Sequence, residues 1–108
     1  MNVEYTGRQT VITAKLKSQA QAGLERVGKV ANRCNTAHVI LTEDKYRRIA
    51  EVTVNCRGEQ LVAIHETELM ETALHGALEK VEQQAIKHKK RWDTMRDHPK
   101  PIAEAEAA

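Results

Sequence analysis

The sequence contains no phenylalanine, and aromatic residues make up only 3% of its 108 residues. Proteins that bind nucleic acid by stacking bases on aromatic side chains need several such rings. The shortage therefore counts against that mode of binding. Trp92 is the one tryptophan, and we expect it to close the end of a hydrophobic core rather than to stack on a base.

Cysteines and long apolar runs are scarce as well. Cys34 and Cys56 are the only cysteines, and they lack the close spacing of metal ligands or of a redox motif. We expect two free thiols in a reducing compartment. No apolar run approaches the roughly 18 residues of a membrane span, and the first residues, MNVEYTGR, do not resemble a signal peptide. These features predict a cytoplasmic protein with no membrane partner.

The sequence shows no pattern typical of a metal site or a catalytic site. The histidines are scattered, and no pair has the compact spacing of zinc ligands; they are His38, His65, His75, His88 and His98. Cys56 is the candidate nucleophile on a strand, but its place in an apolar alternation predicts a buried, inert thiol. We expect no enzyme activity, no metal, no cofactor and no small-molecule substrate.

The formal charge of +2 is unevenly distributed, because residues 1–96 carry +4 and residues 97–108 carry −2. The length suffices for one compact core and is too short for two. The end of the chain, PKPIAEAEAA, combines two prolines with small and acidic residues. We therefore predict one folded domain over residues 1–95 and a disordered acidic, alanine-rich tail over residues 96–108.

The first third of the chain predicts a strand and a helix. Met1, Val3 and Tyr5 alternate with polar residues before Gly7, as in a one-sided strand. Thr13 is placed to cap a helix. Apolar residues then recur at helical spacing until Asn32; they are Leu16, Ala20, Leu24, Val27 and Ala31.

The remaining part predicts three strands and a second helix. The runs AHVILTED, RRIAEVTVNCRG and QLVAIHE are rich in β-formers, and the loop EDKY and Gly58 separate them. In the second run the apolar side consists of Ala50, Val52, Val54 and Cys56. A long amphipathic pattern follows from Glu68 to about Trp92. The predicted fold is α+β, in the order β-α-β-β-β-α, with two helices packed on one face of a four-stranded sheet.

Cations collect on one flank of each predicted helix. On a helical wheel the first group is Lys15, Arg26, Lys29 and Arg33, and the second is Lys80, Lys87 and Arg91, with Lys89 and Lys90 nearby. A solvated helix face is the ordinary explanation for such a pattern. The helix dipole acts only within the last turn and does not account for Lys80, and the acids of the second helix gather on its opposite flank. A basic surface of this kind suits a polyanion such as RNA.

The segments YTGRQTVIT and ALHGALEKVEQQAIKHKKR, separated by a helix and three strands, resemble the short ribosome hibernation-promoting factors. This family includes the ribosome-associated inhibitor, and the resemblance spans about residues 1–92. It implies the same β-α-β-β-β-α fold, which is related to double-stranded-RNA-binding domains. It also implies a bacterial, cytoplasmic, ribosome-associated protein that occupies the decoding region of the small subunit and excludes messenger and transfer RNA.

Carried over by position, the resemblance implies phosphate contacts from Arg26, Lys80, Lys87, Lys89 and Arg91, with His88 inside the motif KHK. Together with the helical wheels, the candidate residues for binding ribosomal RNA are Lys15, Arg26, Lys29, Arg33, Lys80, Lys87, His88, Lys89, Lys90 and Arg91. The expected partner is the small ribosomal subunit, and the free protein is expected to be a monomer. Two alternatives stay open: a general double-stranded-RNA-binding domain, and a basic module that binds an acidic protein.

Overall fold

The computed structural model describes residues 1–31 and 33–97, with side chains as far as Lys90. It contains four strands and two helices in the predicted order, and this prediction is confirmed. The elements are β1 (Asn2–Arg8), α1 (Ala14–Ala31), β2 (Cys34–Asp44), β3 (Arg47–Cys56), β4 (Glu59–Thr67) and α2 (Met70–Asp97).

The strands form a single sheet in the order β1-β2-β3-β4. β1 pairs with β2 in parallel, so the chain must cross over through α1 to return to the sheet. The other pairs are antiparallel and are joined by two-residue turns. In the second of these turns Arg57 and Gly58 have φ of 53° and 79°. Two-residue hairpin turns require such left-handed values to match the right-handed twist of the strands they join.

Both helices cover one face of the sheet and bury the core between them. The apolar side of β3 behaves as its alternation predicts, because Ala50, Val52, Val54 and Cys56 are all 0% exposed. The five apolar positions of α1 are also buried. The Leu16 N–H donates a hydrogen bond of 3.2 Å to the Thr13 side-chain oxygen, which confirms the predicted cap.

The two helices run parallel and approach each other closely. Gln19 near the start of α1 contacts the Glu71 carbonyl near the start of α2, and Arg26 further along contacts Glu82. Gly23 makes the approach possible, since a Cβ atom at this position would lie 2.7 Å from a methyl carbon of Leu78. The beginnings of both helices therefore lie at one end of the molecule, and α1 ends at the other.

The second helix begins two residues later than the sequence pattern indicates. The Thr67 side-chain oxygen accepts a hydrogen bond from the Leu69 N–H and donates one to the Leu69 carbonyl, which holds this segment in a turn. At its other end α2 continues to Asp97, past the domain boundary predicted after residue 95. Residues 98–108, most of the predicted disordered tail, lie outside the described residues, so the tail remains a prediction.

The expectation of two free thiols is wrong, because Cys34 and Cys56 form a disulfide. Cys34 is the first residue of β2 and Cys56 the last of β3, and the two pair directly across the sheet with Cα atoms 3.9 Å apart. The chain separation of 22 residues gave no hint of this proximity. Only the register of the two strands brings the sulfur atoms together.

Candidate nucleic-acid interface

The basic flank of α1 faces the acidic flank of α2. Lys15 Nζ lies 2.9 Å from a carboxylate oxygen of Glu71, and Arg26 Nε lies 3.5 Å from one of Glu82. Glu82, one of the acids that the helical wheel placed away from the cations of α2, is therefore the partner of a cation of α1. These ion pairs are largely solvent-exposed, so each contributes at most about 1 kcal/mol to stability.

The basic flank of α2 lies on the other side of that helix, above the edge strand β4. Lys80 Nζ donates a hydrogen bond of 3.1 Å to the Ile64 carbonyl, and Gln84 Nε2 donates one of 2.8 Å to the Val62 carbonyl. Among the described residues this strand pairs with β3 alone, so the two carbonyls have no strand partner there on their outer side. Lys80 thus has a structural role in covering the edge of the sheet.

The candidate cations consequently do not form one continuous surface across the two helices. Glu71 and Glu82 lie at the seam between α1 and α2, between the cations of the first helix and those of the second. Opposite charges this close reduce the positive potential along the middle of the helix pair. The predicted two-helix basic face is therefore divided by an acidic seam.

Cations do converge where α1 ends and the β3–β4 hairpin turns. We name this group the basic end; it consists of Lys29, Arg33, Arg57, Lys87, Lys89 and Lys90. Two contacts define the place. The Arg57 N–H donates a hydrogen bond of 3.2 Å to the Arg33 carbonyl, and His88 on α2 contacts Glu59, the first residue of β4. The side chains of this group are exposed or half-buried.

His88 ties α2 to the sheet at the basic end. Its Nδ1 atom lies 3.0 Å from a carboxylate oxygen of Glu59, and the histidine side chain is 26% exposed. The contact is a hydrogen bond when the ring is neutral and gains an ion pair when the ring is protonated. His88 thus holds the cations of α2 against the hairpin, whatever its part in phosphate binding.

Other predicted site residues lie away from the basic end. Lys15 is at the start of α1, and about 21 Å of helix, at 1.5 Å per residue, separate it from Lys29. Arg33 follows the end of α1 at Ala31 and has φ of 52°, so it does not belong to the helical face on which the wheel placed it. Arg91 lies in α2, in the segment whose side chains are not described.

Arg57 is a candidate residue of the basic end that is not among the predicted site residues. The residue sits in a tight turn between two strands, and helical wheels consider only cations on helices. A signal was present, because the Arg57–Gly58 pair marks the hairpin and places a cation at its tip. Its closeness to Arg33 depends on strand register and could not be obtained from local pattern.

The face of the sheet opposite the helices offers little to a polyanion. The residues lining its central concavity include Glu4 and Glu51 but no lysine or arginine. His38 on this face is engaged with Thr6, with 2.8 Å between the ring Nε2 and the hydroxyl oxygen. RNA phosphates are therefore expected at the basic end and not on this face.

Over residues 1–31 and 33–90, whose side chains the structure describes, no group of three or more His, Cys, Asp and Glu side chains is placed to hold a metal ion. No helix in the same part of the chain is long and apolar enough to cross a membrane.

The family model described as Sigma 54 modulation protein / S30EA ribosomal protein matches residues 3–93. The chain belongs to this family. An Azotobacter vinelandii member named ribosome hibernation promoting factor is 30% identical over 91 residues, which cover 84% of this chain and 85% of the relative. The Escherichia coli K12 protein of the same name is 26% identical over 98 residues, 91% of this chain and 100% of the relative. The resemblance to short hibernation factors is confirmed.

Two solved structures share the fold. A ribosomal subunit interface protein from Coxiella burnetii superposes with a TM-score of 0.76 at 23% identity, covering 83% of this chain and 99% of that one. The N-terminal domain of Thermus thermophilus Protein Y gives a TM-score of 0.74 at 22% identity, covering 82% and 99%. These likenesses confirm the predicted α+β fold.

Proposed function

We propose that this protein is a ribosome hibernation factor that binds the small subunit near the decoding centre. Bound there, it blocks messenger and transfer RNA and inhibits translation under stress or in stationary phase. Membership of the S30EA family and the name shared by its relatives support this role. The cytoplasm is the compartment in which such a factor meets its partner.

The basic end is the observation that carries the proposed mode of binding. Lys29, Arg33, Lys87 and Lys90 are exposed there, on two helices and the connection that follows α1. A phosphate backbone releases counterions when lysine or arginine neutralises it, and this release supplies most of the affinity of a surface without aromatic platforms. Ribosomal RNA is a dense source of such phosphates.

The cations at the helix seam have a secondary part in this proposal. The side chain of Lys15 is 77% exposed and that of Arg26 is 50% exposed, so their ion pairs with α2 are weak. A phosphate can replace the carboxylate as the partner at little cost. We therefore expect these residues to add to affinity without deciding it.

Inhibition by this mechanism is stoichiometric and requires no chemistry on the RNA. The protein and the ligands of translation compete for one place, so the fraction of blocked subunits depends on their concentrations and affinities. Excess messenger and transfer RNA should displace the protein, and excess protein should displace them.

Sedimentation with purified small subunits tests this function. We expect the protein to pellet with the subunits at low salt, and to be released when messenger and transfer RNA are added together. Log affinity should fall against log salt with a slope of several units, for about five neutralised phosphates. Binding that survives saturating messenger and transfer RNA would contradict occlusion. Equal affinity for an isolated RNA duplex would favour the general double-stranded-RNA binder instead.

A further inference from the structure

The Cys34–Cys56 disulfide fastens the sheet at the basic end. Cys34 begins β2 and Cys56 ends β3, so the residues just beyond the bond on the two strands are Arg33 and Arg57. Neither helix carries these two cations. Their relative position depends on how firmly the ends of β2 and β3 are joined.

The disulfide lies at an irregular end of the β2–β3 strand pair. The register of β2 against β3 is irregular between Cys34 and Thr36. Beyond the ladder, the Arg57 N–H donates a backbone hydrogen bond to the Arg33 carbonyl. On the open face, the Asn55 side chain donates a hydrogen bond of 2.8 Å to the Thr36 hydroxyl. Strand ends of this kind open more readily than strand centres.

The backbone conformations of the two arginines add to the need for a link. Arg33 has φ of 52° and Arg57 has φ of 53°, in the left-handed region that residues other than glycine seldom adopt. The Arg57 N–H donates a hydrogen bond of 3.2 Å to the Arg33 carbonyl, so both side chains leave the backbone at one place. Two such cations repel each other when their side chains approach, and a phosphate between them would relieve that repulsion, since arginine is well suited to bind phosphate oxygens.

We infer that the disulfide assembles Arg33 and Arg57 into a phosphate-binding pair, and that oxidation of the two cysteines strengthens the affinity of the basic end for RNA. The identity of RNA as the ligand rests on the proposed function. The underlying reason is preorganisation: a pair already held in its bound arrangement loses less conformational freedom on binding. Reduction removes neither arginine, but it allows the ends of β2 and β3 next to them to separate.

The burial of the cysteines indicates how the bond forms. Cys34 is partly exposed, whereas Cys56 is 0% exposed. With a peroxide as oxidant, the Cys34 thiolate attacks one oxygen, the O–O bond breaks, and the products are a sulfenic acid and hydroxide. The Cys56 sulfur then attacks the Cys34 sulfur, the S–O bond breaks, and water leaves with the Cys56 proton. A dithiol reductant returns two electrons and two protons and restores both thiols.

The test compares peroxide-oxidised with phosphine-reduced protein. Two probes are used across a range of salt: purified small subunits and inorganic polyphosphate. We expect the oxidised form to bind both probes about fivefold more tightly through preorganisation of the pair. Cys34→Ser with Cys56→Ser should match the reduced form after either treatment. Thiol titration without any ligand should show no free thiol after peroxide and two after reduction.

Arginine variants show whether the pair carries the effect. Asparagine tolerates the left-handed backbone, so Arg33→Asn with Arg57→Asn removes two charges with little strain. In this variant oxidation should no longer change affinity, and the salt slope should fall by about two units. The matched control is Arg8→Asn with Arg47→Asn at the opposite end of the sheet, which should keep the full difference between the two redox forms.

The possible results separate this inference from the proposed function. Equal binding of polyphosphate by oxidised and reduced protein overturns the inference, even if small subunits are bound. So does a redox effect that persists in Arg33→Asn with Arg57→Asn, or two free thiols after peroxide treatment. A redox effect on polyphosphate binding, with no binding of small subunits by either form, supports the phosphate pair and removes the proposed function. Thermal unfolding of each variant checks that it is folded.

Discussion

Gly23 of α1 lies directly against Leu78 of α2, where the two helices pack together. A Cβ atom at Gly23 would come within 2.7 Å of a Leu78 methyl carbon, and Leu78 is only 2% exposed. The side chain of Leu78 therefore has little room to move aside. The absence of a side chain at one position thus sets the spacing of the helix pair.

Gly23→Ala should therefore destabilise the protein, although alanine is the better helix former. We expect the free energy of unfolding to fall by about 1–3 kcal/mol, the usual cost of overpacking a core. Gly28→Ala is the matched control, since its Cβ would lie 3.7 Å from the Met1 side chain, an ordinary contact. The control should gain up to about 1 kcal/mol. Urea unfolding measures both, and equal stability of the two variants would contradict the helix packing.

Lys80→Ala should act on the sheet more than on RNA binding. The change removes the hydrogen bond to the Ile64 carbonyl at the edge of β4. We expect a loss of about 0.5–1 kcal/mol of stability and only a small loss of affinity for small subunits. Lys87→Ala is the comparison, with unchanged stability and the larger loss of affinity. If Lys80→Ala instead lost more affinity than Lys87→Ala, with unchanged stability, Lys80 would be the main phosphate contact.

Reversing two charges at the basic end should abolish binding while leaving the fold intact. Lys87 and Lys90 are exposed on α2, so Lys87→Glu with Lys90→Glu disturbs no packing. We expect at least about a 30-fold loss of affinity for small subunits, because two phosphate contacts become repulsions. The control is Arg8→Glu with Lys45→Glu, which makes the same change in net charge at the far end. Its affinity should stay within about threefold, and an equal loss in both variants would indicate a non-specific charge effect.

Tyr5→Phe should leave stability unchanged or raise it by about 1 kcal/mol. The reason is that the Tyr5 hydroxyl is buried and finds no hydrogen-bond partner among the described residues.

Burial also raises the pKa of Tyr5 above 10.0, its ordinary value. The folded state therefore holds the phenol proton more tightly than the unfolded state. The stability that this raised pKa contributes is fully present below pH 10 and is lost as the pH rises through the folded-state pKa. Denaturant melts near pH 9 and pH 11 check this, and the alkaline loss of stability should be smaller in the variant.

Patterns within a single element predicted most of the fold. Alternate residues of a strand face the same side, so the buried side of β3 from Ala50 to Cys56 could be recognised locally. The cap at Thr13 is also a local signal, since its partner Leu16 lies only three residues away. The family resemblance then agreed with the order of elements.

Contacts between distant elements could not be predicted in this way. The wheel showed the acids of α2 correctly but could not show that α1 lies beside them, as the Arg26–Glu82 pair requires. The partner of Lys80 is a backbone carbonyl, which no sequence pattern reveals. The link between Cys34 and Cys56 depends on strand register. In each case the missing information is which surfaces meet in three dimensions.

The sheet order also has a consequence for how the chain assembles. β2, β3 and β4 are consecutive, joined by two-residue turns, and can pair as soon as each is made. Within the part of the chain that the structure describes, β1 pairs with β2 alone. The whole of α1 separates the two strands, so their contact closes a long loop and is expected to form slowly. During synthesis β1 leaves the ribosome before any strand exists to receive it. The first strand to be made is therefore expected to be the last to join the sheet.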